Sequence, residues 1–158
     1  MMRVFRAAVV SMVLVVMGAL PAYGAAAPAP VAGAFQAQVD FSTVQLEDVP
    51  PSSCLLTVDG VLTFTGTLVG AAAGTTNALE AAPCSAVSVN PPGTFVDVFQ
   101  FRGHFVGTVN GRDLDTSLTY SGVTHVGGQI DAIISLQGSG VGPLRASATV
   151  AVGGNYTS

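Results

Sequence analysis

Few residues in this chain have the types and spacing for chemistry. His104 and His125 are the only histidines, and either could act as a base or a metal ligand. His104 lies beside Arg102 on the polar side of an alternating run, which reads as a solvated outer face. His125 stands next to Val126-Gly127-Gly128 and reads as an exposed turn residue. Asp113 and Asp115 flank Leu114. Carboxylates on one face could take Ca²⁺, but the dense run of oxygen ligands that such loops carry is missing, so they read as a solvated hairpin end. Gly138-Ser139-Gly140-Val141-Gly142 looks like a phosphate cradle, yet no Lys-Ser/Thr and no helical pattern follow it. Its glycines suit a turn instead. Neither Gly-x-Ser-x-Gly nor His-Glu-x-x-His occurs, so two common hydrolase signatures are missing. No catalytic, cofactor-binding or metal-binding residue is assigned, and no cofactor is expected.

Cys54 and Cys84 are the only cysteines. In an exported chain an isolated pair reads as a disulfide. The alternative, a redox pair or metal ligands, lacks both a Cys-x-x-Cys spacing and clustered histidines.

Export itself is read from the first residues. Arg3 and Arg6 precede the apolar run Ala7 to Leu20, which is too short to span a bilayer comfortably. Pro21 ends the run, and small residues follow through Ala27. This is the pattern of a secretory signal, assigned to residues 1–27, with a secreted (extracellular or periplasmic) location. Residues 28–33 read as a Pro/Ala linker and 34–158 as one domain. Beyond the signal, Arg102, Arg112 and Arg145 face nine acids, a net charge of −6, and the chain has no lysine. Such a surface lacks the basic footprint for a nucleic-acid backbone or for anionic lipid. Stable membrane insertion after signal cleavage is not expected, and no oligomeric state is assigned.

The elements that must position these residues are strands. From Thr94 to Val109, Phe95, Phe99, Phe101 and Phe105 share one parity, and Gln100, Arg102, His104 and Thr108 the other. A period of two predicts a long strand with one apolar face. Asn110-Gly111 then predicts a tight hairpin, and alternating runs follow at Leu118 to Thr124 and Gln129 to Leu136. Upstream, Phe35 to Phe41 alternates until parity slips at Thr43-Val44, which predicts a bulge before Leu46. Pro50 to Ser53 reads as a loop, Leu55 to Val58 as a short apolar run and Val61 to Gly70 as a strand. Ala71 to Thr76 reads as a small-residue turn, Ala78 to Ala82 as a helical turn or an unplaced stretch, and Ser85 to Val89 as a strand. A final strand is expected from Leu144 through Val150 to Val152.

Phe64-Thr65-Gly66-Thr67-Leu68-Val69-Gly70 echoes Phe101-Arg102-Gly103-His104-Phe105-Val106-Gly107. Glycines inside strands suit the sharply coiled strands of a small closed barrel. These two stretches, with Gly103 to Gly111 and Gly138 to Leu144, resemble a family of small bacterial barrels whose fold is like that of allene oxide cyclase. The likeness spans about Val58 to Tyr156. Pro143 and Arg145-Ala146-Ser147 depart from the expected pattern. The resemblance implies an all-β fold, an antiparallel eight-stranded small barrel; the fold is carried over and the cyclase activity is not, because no residue here matches those a cyclase would need. The alternative fold is an immunoglobulin-like sandwich. An outer-membrane barrel is disfavoured by the few aromatics and the Thr- and Gln-rich outer faces.

The inward face should comprise Phe35, Val39, Phe41, Leu62, Phe64, Leu68, Phe99, Phe101, Phe105, Leu118, Tyr120, Ile130, Ile134, Leu136, Leu144 and Val150. Small residues interleaved with them leave room for an apolar pocket at one barrel mouth. Its candidate lining is Phe64, Phe99, Phe101 and Phe105, with Tyr120 as the polar handle. The leading function is therefore a secreted barrel that binds an apolar small molecule. A cyclase or isomerase using the cavity is the second reading, and a structural or surface-interaction protein with a filled core is the third. Titratable groups with perturbed pKa in a cavity would favour the second, a cavity without them the first, and a filled barrel the third.

Overall fold

The computed structural model describes residues 30–150 and 153–158. The expected signal segment, residues 1–27, and Val152 lie outside the described residues. Eight antiparallel strands run in chain order around a closed barrel. They are β1 (Ala32–Val49), β2 (Ser53–Gly66), β3 (Leu68–Glu80), β4 (Asp97–Val109), β5 (Arg112–Thr124), β6 (Gln129–Leu136), β7 (Leu144–Thr149) and β8 (Gly153–Thr157). A single short helix, α1 (Cys84–Val87), lies between β3 and β4. This is the barrel the sequence predicts, and not the sandwich. The last seam is narrow: β1 meets β8 only through Ala32 to Phe35 against Thr157 to Gly154.

Several predicted features are present. Asn110 and Gly111 both take positive φ between the paired residues Val109 and Arg112, the geometry a two-residue hairpin requires. The β1–β2 register shifts between Asp40 and Gln45, so Phe41 to Val44 bulge opposite Val58. Gly138 and Gly140 turn with positive φ. Cys54 and Cys84 are bonded, with Cα atoms 4.8 Å apart.

Other expectations need correction. Ala71 to Thr76 is not a turn and Ala78 to Glu80 is not helical; both belong to β3. Inside β3, Gly70 faces Gly107, Ala72 faces Phe105 and Gly74 faces Gly103. Small residues on this strand leave space for rings from its neighbours, so the strand carries little apolar alternation of its own. Ser85 to Val89 is helix and turn rather than strand. The final strand breaks after Thr149, and Gly153 to Thr157 forms a separate β8 that closes the barrel. Val31 is buried and Ala32 and Gly33 lie in β1, so the barrel takes in the end of the expected linker. The two Phe-x-Gly echoes are not equivalent either. Gly66 ends β2 with φ of 101°, whereas Gly103 lies within β4.

The lumen is filled. Phe35, Leu62, Phe64, Leu68, Phe99, Phe101, Phe105, Leu118, Tyr120, Ile134, Leu136, Leu144 and Tyr156 form one buried cluster, and Ile130 packs against it. Burying each such ring or branched chain contributes about 1.5–3 kcal/mol relative to exposure. Val39, Phe41 and Val150, expected inside, are exposed. For Val39 and Phe41 the cause is that β1 runs past β8: its pairing with β8 ends at Phe35, and Phe41 sits in the bulge. The outer wall mixes exposed polar residues (Thr63, Thr65, Arg102, His104, Arg145 and Ser147) with exposed Val69, Leu79, Val98, Val106 and Ile133. No helix among the described residues is long and apolar enough to cross a membrane.

Candidate functional site

At one end of the barrel the inward residues of neighbouring strands form a row. Register pairs Cys54 with Glu80, Glu80 with Asp97, Asp97 with Thr124 and Thr124 with Ile130. Alternation in the strand sends every one of these side chains toward the barrel axis. Two carboxyl groups therefore stand side by side at the mouth of an otherwise apolar lumen.

Above this row lies a cleft of about 220 Å³. One wall is the overhanging end of β1, where the bulge presents Phe41, Val44 and Leu46. Leu56 and Glu80 form its floor, and Val87 to Phe95 form the other wall. That second wall is tied down. The disulfide holds α1 to the start of β2, and the amide of Cys84 donates to Asp48 Oδ1 at 3.3 Å. Asn90 Nδ2 donates to the carbonyl of Ala86 at 2.9 Å, and the amide of Gly127 donates to the carbonyl of Gly93 at 3.0 Å. Wider and more open hollows on the outer wall lie over Gly74, Gly103 and Gly122.

Environment sets the chemistry of the two acids. Burial, followed by the charge of Asp97, raises the Glu80 carboxyl to about 7. Burial also raises Asp97, against an opposing contribution from contacts with Thr124. Asp97 is only 7% exposed, and its Oδ1 has no hydrogen-bond partner among the described residues. The Tyr120 hydroxyl is likewise buried without a partner. Burial, then the nearby charge of Asp97, pushes the Tyr120 phenol upward. Buried polar atoms are rarely left unpaired, so their concentration behind one cleft singles out this mouth.

The five residues expected to line a pocket are all buried and pack on one another and on Phe35. Phe64 meets Phe105 edge-on at 5.8 Å between ring centres. Tyr120 meets Phe99 at 5.0 Å and Phe35 at 5.2 Å. With Phe101 they fill the lumen beneath the cleft, and none of them lines it. Sequence reasoning missed Glu80 and Asp97. Seventeen positions apart in the chain, they meet only through the β3–β4 register, and reading Ala71 to Ala82 as turn and helix hid that register.

The remaining chemical candidates are surface features. His104 Nε2 lies 2.6 Å from Asp115 Oδ1, and His125 Nε2 lies 3.2 Å from Asp131 Oδ2. Both pairs are well exposed, and Asp113, two positions before Asp115, is exposed as well. Among the described residues no group of three or more His, Cys, Asp and Glu could hold a metal ion. In comparisons with family models, curated proteins and solved structures, nothing matches this chain.

Proposed function

We propose that this chain is an exported β-barrel that binds an apolar small molecule at its mouth, in the cleft over Glu80 and not inside the lumen. One observation carries the reading: an apolar, tied-down cleft ends on a half-buried carboxyl with unpartnered polar atoms behind it. Ligand sites combine apolar walls with a few convergent polar groups in this way. At about 220 Å³ the cleft takes a ring or a short chain, and a longer ligand continues over exposed Phe41 and Val39. Export is supported by the signal-like N-terminus and the disulfide. The acidic, lysine-free composition supports a partner that is neither nucleic acid nor anionic lipid.

The experiment is native mass spectrometry and thermal shift of the oxidised protein against fatty acids, terpenoids, aromatics and alkyl amines. Binding that is lost on Leu56→Trp, which fills the cleft, is the expected result. If no ligand class binds, the structural reading replaces this one.

A second reading is favoured by one observation. A carboxyl raised to about 7 in an apolar cleft is poised for proton transfer near neutral pH, as a cyclase or isomerase requires. Conversion of a bound ligand to an isomer, abolished by Glu80→Gln, would establish turnover over simple binding.

A further inference from the structure

The chemical class of the ligand can be inferred from what the mouth lacks, and this step rests on the binding reading above. Glu80 and Asp97 face each other across the β3–β4 ladder on the inward side. Among the described residues Asp97 Oδ1 has no donor, and the buried Tyr120 hydroxyl has no partner. Nothing described supplies the missing positive charge. Arg102 is exposed and its Nε donates to Gln100. Arg112 is exposed at the hairpin beside Gly111, at the start of the strand that ends in Thr124. Arg145 is exposed on the outer wall, and both histidines are already paired with outer-wall aspartates. The chain has no lysine.

We propose that the mouth takes an apolar amine: an ammonium group donates to Glu80, the one carboxyl that lines the cleft, while its hydrocarbon lies against Phe41, Leu46, Leu56 and Phe95. An ammonium supplies several donors and a charge, so it pairs with Glu80 directly and its charge offsets the repulsion between Glu80 and Asp97, the register partner behind it. A hydroxyl supplies a single donor and no charge. A carboxylate ligand adds a third negative group to a site that already disfavours two. A metal ion would need a third side-chain ligand, and none is gathered there.

The titratable groups around Glu80 set the pH dependence. Asp97 from β4 acts on Glu80 directly, Tyr120 from deeper in β5 lies near Asp97, and Asp48 of β1 is the register partner of Cys54, itself paired with Glu80. The segment from α1 to Phe95 contributes no titratable side chain apart from the disulfide-bonded Cys84. All the facing acids are negative or neutral, so an ammonium binds best when Glu80 is ionised, and affinity rises as pH passes through about 7.

The test uses a matched series of octylamine, octanol and octanoate, with dissociation constants measured calorimetrically at pH 6 and pH 8. At pH 8 octylamine should bind at least about tenfold more tightly than octanol, the scale of a charge-assisted contact, and octanoate should not bind. Glu80→Gln should remove that advantage, so that octylamine and octanol bind the variant alike, and in the wild type the amine should bind more weakly at pH 6. Asp97→Asn should act in the same direction. Glu80 is half-buried, so Glu80→Gln keeps the test valid if Asp97→Asn fails to fold. Equal binding of amine and alcohol would overturn the amine assignment and leave the binding reading standing. Absence of binding by all three, and by the wider panel, would overturn the binding reading itself.

Discussion

Tyr156 accepts a hydrogen bond from the amide of Leu68 at 2.8 Å and donates one to the carbonyl of Thr65 at 2.9 Å. The C-terminal strand β8 thus serves the turn between β2 and β3. The hydroxyl reaches it by passing over Gly33, where a Cβ would collide with the phenol. Tyr156→Phe leaves the buried Leu68 amide without an acceptor and should cost about 1–3 kcal/mol. Urea unfolding of the two proteins, with no change in slope, measures it.

Gly103 and Phe101 give a second prediction. A Cβ at Gly103 would lie 2.5 Å from the Phe101 ring and 2.8 Å from the Ala73 carbonyl oxygen. The ring folds along its own strand over the bare glycine. Gly103→Val should destabilise by about 1–3 kcal/mol through overpacking, whereas exposed Arg102→Ala should change stability by less than about 0.5 kcal/mol. Equal melting temperatures for Gly103→Val and wild type would refute this.

The Cys54–Cys84 bond closes a loop with a sequence separation of 30. In the chain-entropy model, closing such a loop stabilises by roughly 3–4 kcal/mol. Reduction, or Cys54→Ala with Cys84→Ala, should lower stability by that order. It should also weaken ligand binding, because the bond anchors the Val87 to Phe95 wall of the cleft.

Glu80 ties stability to pH. Its carboxyl titrates near 4.5 in an unstructured chain and about 7 in the folded barrel. Below the lower value both states are protonated and the stability is fully present. As pH rises, the unfolded chain ionises first, so stability declines from about pH 5 and levels off above the folded value. Asp97, also raised, acts in the same direction. Chemical denaturation at pH 5 and pH 8 should show the wild type weaker at pH 8, and Glu80→Gln should flatten the difference.

The strands legible in the sequence carry their own signal. β4 alternates phenylalanine with polar residues, and Asn110-Gly111 marks its end, so the strand, its turn and its inward rings could be read without partners. β3 could not be read this way. Ala72 is small because Phe105 lies across from it, and Gly70 and Gly74 because the backbone of β4 passes too close for a Cβ, and that complementarity belongs to a pair of strands. β8 has the same character, since two glycines and one tyrosine show no alternation. The candidate site was illegible for a related reason. Glu80 looked like part of a helical turn and Asp97 like one polar residue at the start of a phenylalanine run. Only their register makes them neighbours.

The narrow seam between β1 and β8 has a consequence for the order of folding. Seven of the eight ladders join strands adjacent in sequence, whereas the eighth joins the first strand to the last. It therefore carries by far the largest loop-closure cost and the fewest pairs to offset it. Until β8 docks, the chain is a curled seven-stranded sheet with two open edges, the form most prone to join a neighbouring copy. The folded barrel should also breathe at this seam first. Amides of Ala32 to Phe35 and Gly154 to Thr157 should exchange with solvent faster than those of β4 and β5.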